Sequence, residues 1–545
     1  MKAGIAVLEY FRKIGVDKVF GIPAGSLNVI YDGLNDYPDI VPIITKHEGA
    51  AGYMAAAYAK YSKHIAVAAG SSGPGATNLI TGAANAMREH QPVLFITGAV
   101  PMSTVGFNAS QELDVSPLFA PITKYSKRVE RAEDLVPEID KAVRFALDGV
   151  PGPVHIAIPL NVQNGQVEPE FPEEPIRFNP PATDMAAVKK AVQEMKKRKT
   201  GLLFAGQGVR GMVPEVMMLS ELLGWPVVCT PVAKGLFKDT HPHFAGIYGF
   251  AGHESTTQLV QEGSFETLVV LGSSLGETAT SNYNANLAKD RFVIHADIDE
   301  KIFNRKYPAD LSVLGDLNDV LPKFIRELRQ LGASPKTAEI SYNAAPLKAG
   351  EDFTTKNAML KLQELLPEKT RYAIDITETE AYVIHDMNTV SYDAFDINVH
   401  FGAMGSGLST GIAAKLADPE RPTVTITGDG CFYMHGMEIL TAKEYNIPIL
   451  FIVMNNARLG LVYHGHNLQF KRTHTTFSTK PFSIADMAEG MDIPNARIES
   501  LEDLNQETID RLMQQDGPAL LEIVLVDDNP PPMGDRVKFL SGFGE

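Results

Sequence analysis

The stretch Gly428-Asp429-Gly430, followed by the pair Asn455-Asn456, decides the fold of this chain. Asp429 and Asn456 are 27 positions apart, with an apolar run just before the asparagines. This spacing fits a strand end, a helix and a second strand that returns beside the first. We therefore expect both side chains at the carboxyl ends of neighbouring parallel strands, where α/β sheets bind ligands. A carboxylate and an amide oxygen suit a Mg²⁺ ion that also binds phosphate, and the glycines let backbone approach the phosphate closely.

The bulk composition bounds the class of protein. At 545 residues the chain is too long for one hydrophobic core, and about three domains are expected. Its formal net charge of −17 argues against nucleic acid or an anionic membrane as a partner. Two cysteines fit a reducing cytoplasm, and we find no apolar stretch of the roughly 20 residues that a membrane span needs. We expect a cytoplasmic protein.

Short apolar runs alternate with helical patterns along the whole chain. Continuous apolar strands between helices indicate parallel sheets that are covered on both faces. The sequence therefore predicts an α/β protein with three doubly wound parallel-sheet domains. The predicted strands are residues 41–45, 64–69, 93–97 and 154–159, then 201–205, 227–229, 267–271 and 292–296, and finally 371–375, 423–427, 447–453 and 519–525.

Two polar, proline-rich stretches divide these domains. The first covers residues 166–182 and the second runs from Gly332 to about Glu351. Both are typical of linkers between domains. They predict domains at residues 1–165, 186–332 and 352–545.

Three further segments have the composition of ligand-binding turns. Glu48 stands where an apolar run meets a helix of small residues, and by itself it fits an exposed glutamate at a helix N-terminus better than a binding group. One glycine-rich turn, residues 20–26, lies upstream of Glu48, and a second, residues 70–78, lies downstream. A third, residues 400–408, opens a small-residue helix. Each turn alone is a weak signal that could be a tight turn between strand and helix.

Taken together, these segments resemble the thiamine diphosphate enzymes of the acetolactate synthase and pyruvate oxidase group. The resemblance runs over nearly the whole chain and includes the domain order: pyrimidine-binding, central, diphosphate-binding. Residues 111–114 and 120–126 resemble the substrate-side loop of acetolactate synthases.

The resemblance implies a role for each matching residue. Asp429, Asn456 and the main-chain oxygen of Arg458 would bind Mg²⁺, and Glu48 would hydrogen-bond the cofactor pyrimidine across a subunit interface. A homodimer or homotetramer is thus implied. Gln111 is predicted to act in catalysis on a small 2-oxo acid. The predicted cofactor-binding residues are Pro23, Gly25, Ser72, Asn78, Thr377, Gly402, Met404, Gly428, Asp429, Gly430, Cys431, Asn456 and Val462.

The resemblance implies decarboxylation of a 2-oxo acid, for which we expect pyruvate, followed by carboligation. Pyruvate oxidase, or a decarboxylase or carboligase of another 2-oxo acid, is the alternative. Gly465 stands where biosynthetic acetolactate synthases carry tryptophan, and Ser110 where they usually carry phenylalanine. Both changes predict a larger pocket. His464 and His466 could be acid–base groups or solvated loop residues, and we favour the second interpretation.

The central domain leaves binding of the flavin cofactor FAD possible but argues against tight binding. Residues 205–208 and 246–252 resemble segments that line FAD in acetolactate synthases, but residues 272–277 and Val150 lack the arginines found there. Residues 375–380 also depart from the family's usual Gly-Gln-His. A nucleotide-binding regulatory module without catalysis is the alternative from another class, although the chain lacks a Gly-x-Gly-x-x-Gly fingerprint at dinucleotide spacing.

Overall fold

The structure, a computed structural model, describes residues 1–337 and 346–533. Within those ranges the chain forms three parallel sheets of six strands each, with helices on both faces. The predicted fold class is thus confirmed. The domain boundaries stay a prediction, and part of the second predicted linker, residues 338–345, lies outside the described residues. In the first predicted linker, residues 166–182 form only isolated bridges.

The first sheet lies in the N-terminal part of the chain. Its strands are β1 (Lys18–Gly21), β2 (Val41–Ile44), β3 (Ala66–Gly70), β4 (Val93–Ala99), β5 (Ser126–Arg128) and β6 (Val154–Pro159). The helices around it are α1 (Ala3–Ile14), α2 (Asn28–Gly33), α3 (Glu48–Ser62), α4 (Pro74–Asn78), α5 (Ile80–Arg88), α6 (Ser116–Phe119), α7 (Leu135–Leu147) and α8 (Leu160–Asn164). The strand order is β2-β1-β3-β4-β6-β5.

The second sheet forms the centre of the chain. Its strands are β7 (Gly201–Ala205), β8 (Val227–Cys229), β9 (Phe244–Ile247), β10 (Thr267–Leu271), β11 (Phe292–Asp297) and β12 (Leu311–Leu314). The helices are α9 (Met185–Lys197), α10 (Val213–Leu223), α11 (Glu254–Glu262) and α12 (Leu317–Gln330). The order β12-β11-β10-β7-β8-β9 places the point where the winding reverses between β7 and β10.

The third sheet carries the motif on which the prediction began. Its strands are β13 (Arg371–Ile374), β14 (Phe395–Ile397), β15 (Thr423–Gly428), β16 (Leu450–Asn455), β17 (Asn495–Ile498) and β18 (Ala519–Val524). The helices are α13 (Thr355–Leu365), α14 (Glu378–Asp386), α15 (Ser406–Ala417), α16 (Asp429–His435), α17 (Glu438–Glu444), α18 (Gly460–Phe470), α19 (Ile484–Gly490) and α20 (Gln506–Met513). The order is β14-β13-β15-β16-β18-β17.

The small-residue helix α3 joins the first domain to the third. Ala51 and Ala55 of α3 share one buried apolar cluster with Leu408 and Ile412 of α15. Alanine and glycine leave little side chain between the backbones, so the two helices pack closely. The opposite side of α3 packs as closely within its own domain, since a Cβ atom added to Gly52 would lie 2.8 Å from the Cα atom of Gly82 in α5. This packing holds the N-terminus of α3, and with it Glu48, in a defined place on the third domain.

The described helices include none that is both long and apolar enough to span a membrane.

Candidate active site

Asp429 and Asn456 meet at the carboxyl ends of β15 and β16, as the sequence predicts. These strands are parallel neighbours, with Gly428 paired to Met454. Asp429 begins α16, and its Oδ1 atom accepts a hydrogen bond of 2.9 Å from the main-chain N–H of Gly430. The main-chain N–H of Ala457 helps to lower the pKa of the Asp429 carboxyl group, against the larger effect of burial. The two halves of the motif therefore lie side by side.

The two adjacent asparagines have different surroundings. Asn455 is fully buried, and its Nδ2 atom donates to Oε1 of Glu522 at 2.6 Å and to the carbonyl of Phe482 at 2.9 Å. Asn456 instead donates from Nδ2 to Oε1 of Glu378 at 2.7 Å, and its Oδ1 atom accepts from the main-chain N–H of Arg458 at 3.1 Å. Asn455 thus stabilises the sheet through Glu522. Asn456 belongs instead to the loop of residues 456–458, which we call the ligand loop.

Three buried carboxylic acids surround this loop. Burial is the largest influence on each: it raises the pKa of Asp429 to about 6, that of Asp375 to about 6 and that of Glu378 to about 7. Hydrogen bonds from main-chain and side-chain donors partly offset that effect. An excess of buried carboxylate is the electrostatic setting that a divalent cation relieves.

The predicted glycine loop packs over Gly430. Asp375 holds this loop, because its Oδ1 atom accepts from the main-chain N–H of Gly405 at 2.9 Å. Gly402 and Gly405 have φ angles of +67° and +87°, which glycine adopts without strain. A Cβ atom on Gly430 would lie 3.3 Å from Cε of Met404. The structure therefore brings Met404 and Gly430 together.

Two further predicted residues line the same strand end. The Thr377 methyl carbon would lie 3.1 Å from a Cβ atom on Gly428, and the Thr377 hydroxyl is buried without a hydrogen-bond partner. This hydroxyl can donate to a phosphate oxygen. The buried thiol of Cys431 donates to the carbonyl of Ile376 at 3.3 Å, so only the Cys431 backbone is left for a ligand.

The second group of predicted residues lies on the first domain. Glu48 is the first residue of α3, and its Oε2 atom accepts from Nδ2 of Asn78 at 2.9 Å. Ser72 donates from Oγ to Oε1 of Gln111 at 3.2 Å. The main-chain N–H of Ser72 donates to Oγ of Ser26, one position beyond Gly25. Glu48 therefore contacts Asn78, while Gln111 contacts Ser72.

Pro23 and Gly25 are exposed in the turn after β1. The Ser26 contact places this turn beside the loop that carries Ser72.

Comparisons with known proteins show which family the chain belongs to. The N-terminal TPP binding domain of thiamine pyrophosphate enzymes matches residues 1–118, the central domain matches 188–324, and the C-terminal TPP binding domain matches 381–523. The chain is 30% identical to the probable acetolactate synthase large subunit of Methanocaldococcus jannaschii, over 98% of this chain and 93% of that protein.

The chain belongs to the thiamine diphosphate enzymes.

Two more comparisons agree with this membership. The enzyme is 30% identical to the acetolactate synthase isozyme 2 large subunit of Escherichia coli, over 95% of this chain and 94% of that protein. A solved structure, of a thiamin diphosphate-dependent enzyme isolated from Mycobacterium smegmatis, superposes with a TM-score of 0.83 at 20% identity. It covers 96% of this chain and 99% of that chain, which supports the fold. The predicted resemblance to acetolactate synthases is confirmed, and with it an enzyme rather than a regulatory module.

The residues of the third domain fit thiamine diphosphate. The Thr377 hydroxyl, which is buried without a hydrogen-bond partner, and the backbone around Gly430 offer groups to which a diphosphate can bind. Among the described residues, no group of three or more His, Cys, Asp or Glu side chains is arranged to hold a metal ion. The predicted cation site is of another kind, since it combines one carboxylate with an amide oxygen and a main-chain oxygen.

Helix α18 in this thiamine diphosphate enzyme differs from the sequence expectation. Val462, a predicted cofactor contact, has 43% of its surface exposed. His464 is buried, so the interpretation as a solvated loop histidine is wrong for it. Its Nε2 atom lies 3.4 Å from Oε2 of Glu378. His466 packs its ring against Phe470 and Phe477, which are 5.2 and 5.1 Å away between ring centroids.

The sequence analysis also missed Glu438, the first residue of α17. Its Oε1 atom accepts hydrogen bonds from the main-chain N–H groups of Lys46 and His47, at 2.9 and 3.0 Å. Glu438 thereby fixes the segment that leads into Glu48. The rings of His47 and His435 also meet edge to face at 5.3 Å. No sequence signal marked it, because α17 also carries Lys443 and Glu444, so that a charged residue does not stand out there.

Two loops of the central domain meet beyond the carboxyl ends of β7 and β10. The main-chain N–H of Gly208 donates to the carbonyl of Gly272 at 3.0 Å, and a Cβ atom on Gly206 would lie 2.2 Å from that same oxygen. The two loops that resemble FAD-lining segments are therefore in backbone contact. Whether the enzyme binds FAD stays an open prediction.

Proposed function

We propose that this enzyme binds thiamine diphosphate with Mg²⁺, decarboxylates a 2-oxo acid, for which we expect pyruvate, and joins the remaining fragment to an acceptor as acetolactate synthases do. The observation that carries the proposal is the placement of Asp429 beside the Asn456 loop, at the ends of the neighbouring strands β15 and β16. Full-length similarity to acetolactate synthase large subunits supports the choice within the family.

Asp429, Asn456 and the main-chain oxygen of Arg458 would hold the cation. Gly430 and Cys431 would offer backbone to the diphosphate. Met404, whose Cε atom approaches Gly430, would pack against the cofactor. Once bound, thiamine diphosphate supplies the carbon nucleophile and the electron sink that decarboxylation of a 2-oxo acid requires. The protein's own contribution is to orient the groups and to hold protons.

Glu48 has the geometry of a proton-holding group. Its carboxylate is almost completely buried, and Asn78 fixes one oxygen by donating to it. The other oxygen, Oε1, lies beside Gly75, where a Cβ atom would come within 2.9 Å. A larger residue at position 75 would therefore displace the carboxylate. We propose that Glu48 exchanges a proton with the cofactor pyrimidine, and that Gln111, held by Ser72, contacts the substrate.

Exposed apolar side chains support a homodimer or larger homo-oligomer with the active site at the interface. Phe107, on the loop that leads to Gln111, is 81% exposed. Met434 and Tyr433, on the helix that begins at Asp429, are 58% and 48% exposed. Large exposed apolar groups beside a site mark a surface that another chain covers. We propose that Glu48 of one protomer completes the cofactor site of its partner.

The test is a product assay on the purified enzyme with thiamine diphosphate and Mg²⁺. Pyruvate is supplied alone and then with a panel of aldehydes and 2-oxo acids, and products are identified by mass spectrometry. Release of CO₂ with formation of acetolactate supports the proposal. Acetaldehyde without a condensation product identifies a simple decarboxylase. A flavin absorbance spectrum together with an acetyl product identifies a pyruvate oxidase and overturns the carboligase assignment.

A further inference from the structure

Glu378 is a buried carboxylate whose two oxygens contact two different elements. It begins α14, directly after Thr377, and is 5% exposed. Oε1 accepts from Nδ2 of Asn456 on the ligand loop. Oε2 lies 3.4 Å from Nε2 of His464 on α18. Burying a carboxylate is costly unless its surroundings use it, so this arrangement calls for a role.

The contact with Asn456 decides which end of that amide faces the cation site. An amide side chain has one accepting oxygen and one donating nitrogen. Because Nδ2 donates to Glu378, Oδ1 is turned toward the main-chain N–H of Arg458, whose own carbonyl is a predicted cation ligand. Groups that hydrogen-bond a metal ligand from behind orient it and raise metal affinity.

The second oxygen of Glu378 contacts α18 without a hydrogen bond. Oε2 of Glu378 and Nε2 of His464 are both buried, and neither has a hydrogen-bond partner among the described residues. A Cβ atom on Gly460, the first residue of α18, would lie only 1.8 Å from Oε2 of Glu378. Only glycine can occupy that position while the carboxylate stays in place. The N-terminus of α18 thus packs directly on Glu378.

We propose that Glu378 is a positioning residue that couples the cation site to helix α18. It orients Asn456 for the cation through one oxygen and holds the first turns of α18, through His464, with the other. Cation binding is thereby transmitted to the helix that carries Val462 and Gly465. The proposal rests on the proposed function, since it assumes a cation held by Asp429 and Asn456.

The first test measures Mn²⁺ binding by electron paramagnetic resonance on the full-length protein with saturating thiamine diphosphate. We expect Glu378→Ala to weaken Mn²⁺ binding about 10- to 100-fold, as the loss of an orienting partner does. Glu378→Gln keeps an oxygen for Asn456 and should recover binding to within a few-fold of wild type. Asp386→Asn, at the other end of α14 and paired with Lys356, is the matched control and should bind Mn²⁺ normally.

The second test is hydrogen exchange with and without Mg²⁺ and thiamine diphosphate. In the wild type we expect slower amide exchange both in residues 429–435 and in residues 460–470 when the cation binds. In His464→Ala, residues 429–435 should still be protected while residues 460–470 are not. This variant keeps the Asn456 contact, so it carries the test if Glu378→Ala does not fold.

The outcomes separate the two proposals. Mn²⁺ binding by Glu378→Ala within two-fold of wild type, or unchanged protection of residues 460–470 in His464→Ala, overturns the coupling by Glu378. Absence of Mn²⁺ binding in the wild type itself overturns the cation site, and with it both proposals.

Discussion

Nδ2 of Asn78 donates a hydrogen bond of 2.9 Å to Oε2 of Glu48. The contact joins the last residue of α4 to the first residue of α3. It fixes the carboxylate in one orientation while the other oxygen stays beside Gly75. A carboxylate held in this way can hold a proton at a constant position, which is what acid–base catalysis needs.

Replacement of Glu48 by glutamine should separate binding from turnover. The amide oxygen of the glutamine can still accept from Asn78, so we expect thiamine diphosphate to bind with little change. Turnover should fall by about 10²- to 10⁴-fold, because the amide cannot exchange the proton. Isothermal titration calorimetry and a decarboxylation assay give the two quantities. Glu444→Gln, which removes an exposed ion-pair partner of Lys46, is the control. Near-normal turnover of Glu48→Gln would show that Glu48 has no role in proton transfer.

Glu438 should make stability depend on pH in a defined direction. Burial is the main reason why its pKa is raised from 4.5 to about 7 in the folded protein. The folded state therefore favours the protonated carboxyl group, and that stabilisation is present below pH 4.5 and lost as the pH rises through 7. A neutral glutamine does not lose it. Glu438→Gln should therefore be more stable than wild type at pH 8, by on the order of 3 kcal/mol.

The measurement is the Tm of both proteins between pH 4.5 and 8. The Tm difference should be small at the acid end and grow in favour of Glu438→Gln toward pH 8. An equal difference at pH 5 and pH 8 would contradict the assigned cause.

Gly465 should control which acceptor the enzyme uses. A Cβ atom at this position meets nothing within 4 Å, so the chain has open space there. Gly465→Trp should fold normally and narrow the site, which lowers use of bulky aldehyde acceptors relative to pyruvate by about 10-fold, the scale of a pocket's discrimination by size. Competition assays with paired acceptors measure this ratio. Gly490→Trp also enters open space, in α19, and serves as the control. An unchanged acceptor ratio would place position 465 outside the acceptor pocket.

The predictable part of the fold is the inner part of each sheet. The twelve runs that the sequence analysis named all contain strands. Eleven of these strands are interior, buried on both faces and continuously apolar, and the exception is the edge strand β2. Among the described residues, the six further strands are β1, β5, β9, β12, β14 and β17, and all except β1 lie at a sheet edge. An edge strand such as Asn495–Ile498 is only partly buried, so its composition does not stand out.

The candidate site also has residues that the sequence analysis found and residues that it missed. The places of Asp429, Asn456 and Met404 follow from motif spacing along the chain, because each lies at a strand end or in the loop beside it. Glu378 and His464 could not be found in this way. They are 86 positions apart in sequence. They meet because α14 and α18 both begin beyond the carboxyl ends of strands in the third sheet. Sequence spacing carries no record of that packing.

The pair Asn455-Asn456 offers a sharp separation of structure from ligand binding. Asn455 is fully buried and is bonded to Glu522, which itself has no exposed surface. Asn455→Ala would leave that carboxylate without one of its donors, so we expect a loss of stability of about 1–3 kcal/mol. Asn456→Ala removes a group at the ligand loop and also takes the donor from the buried Oε1 atom of Glu378, so we expect the apo protein to lose stability on the same scale.

Cofactor addition should separate the two variants. With thiamine diphosphate and Mg²⁺, Asn455→Ala should gain as much Tm as the wild type does, because its binding loop is intact. Asn456→Ala should gain little, since a ligand stabilises only the protein that binds it. Differential scanning fluorimetry with and without cofactor gives both numbers from one experiment. Equal cofactor-induced shifts in the two variants would contradict the assignment of Asn456, and not Asn455, to the cation.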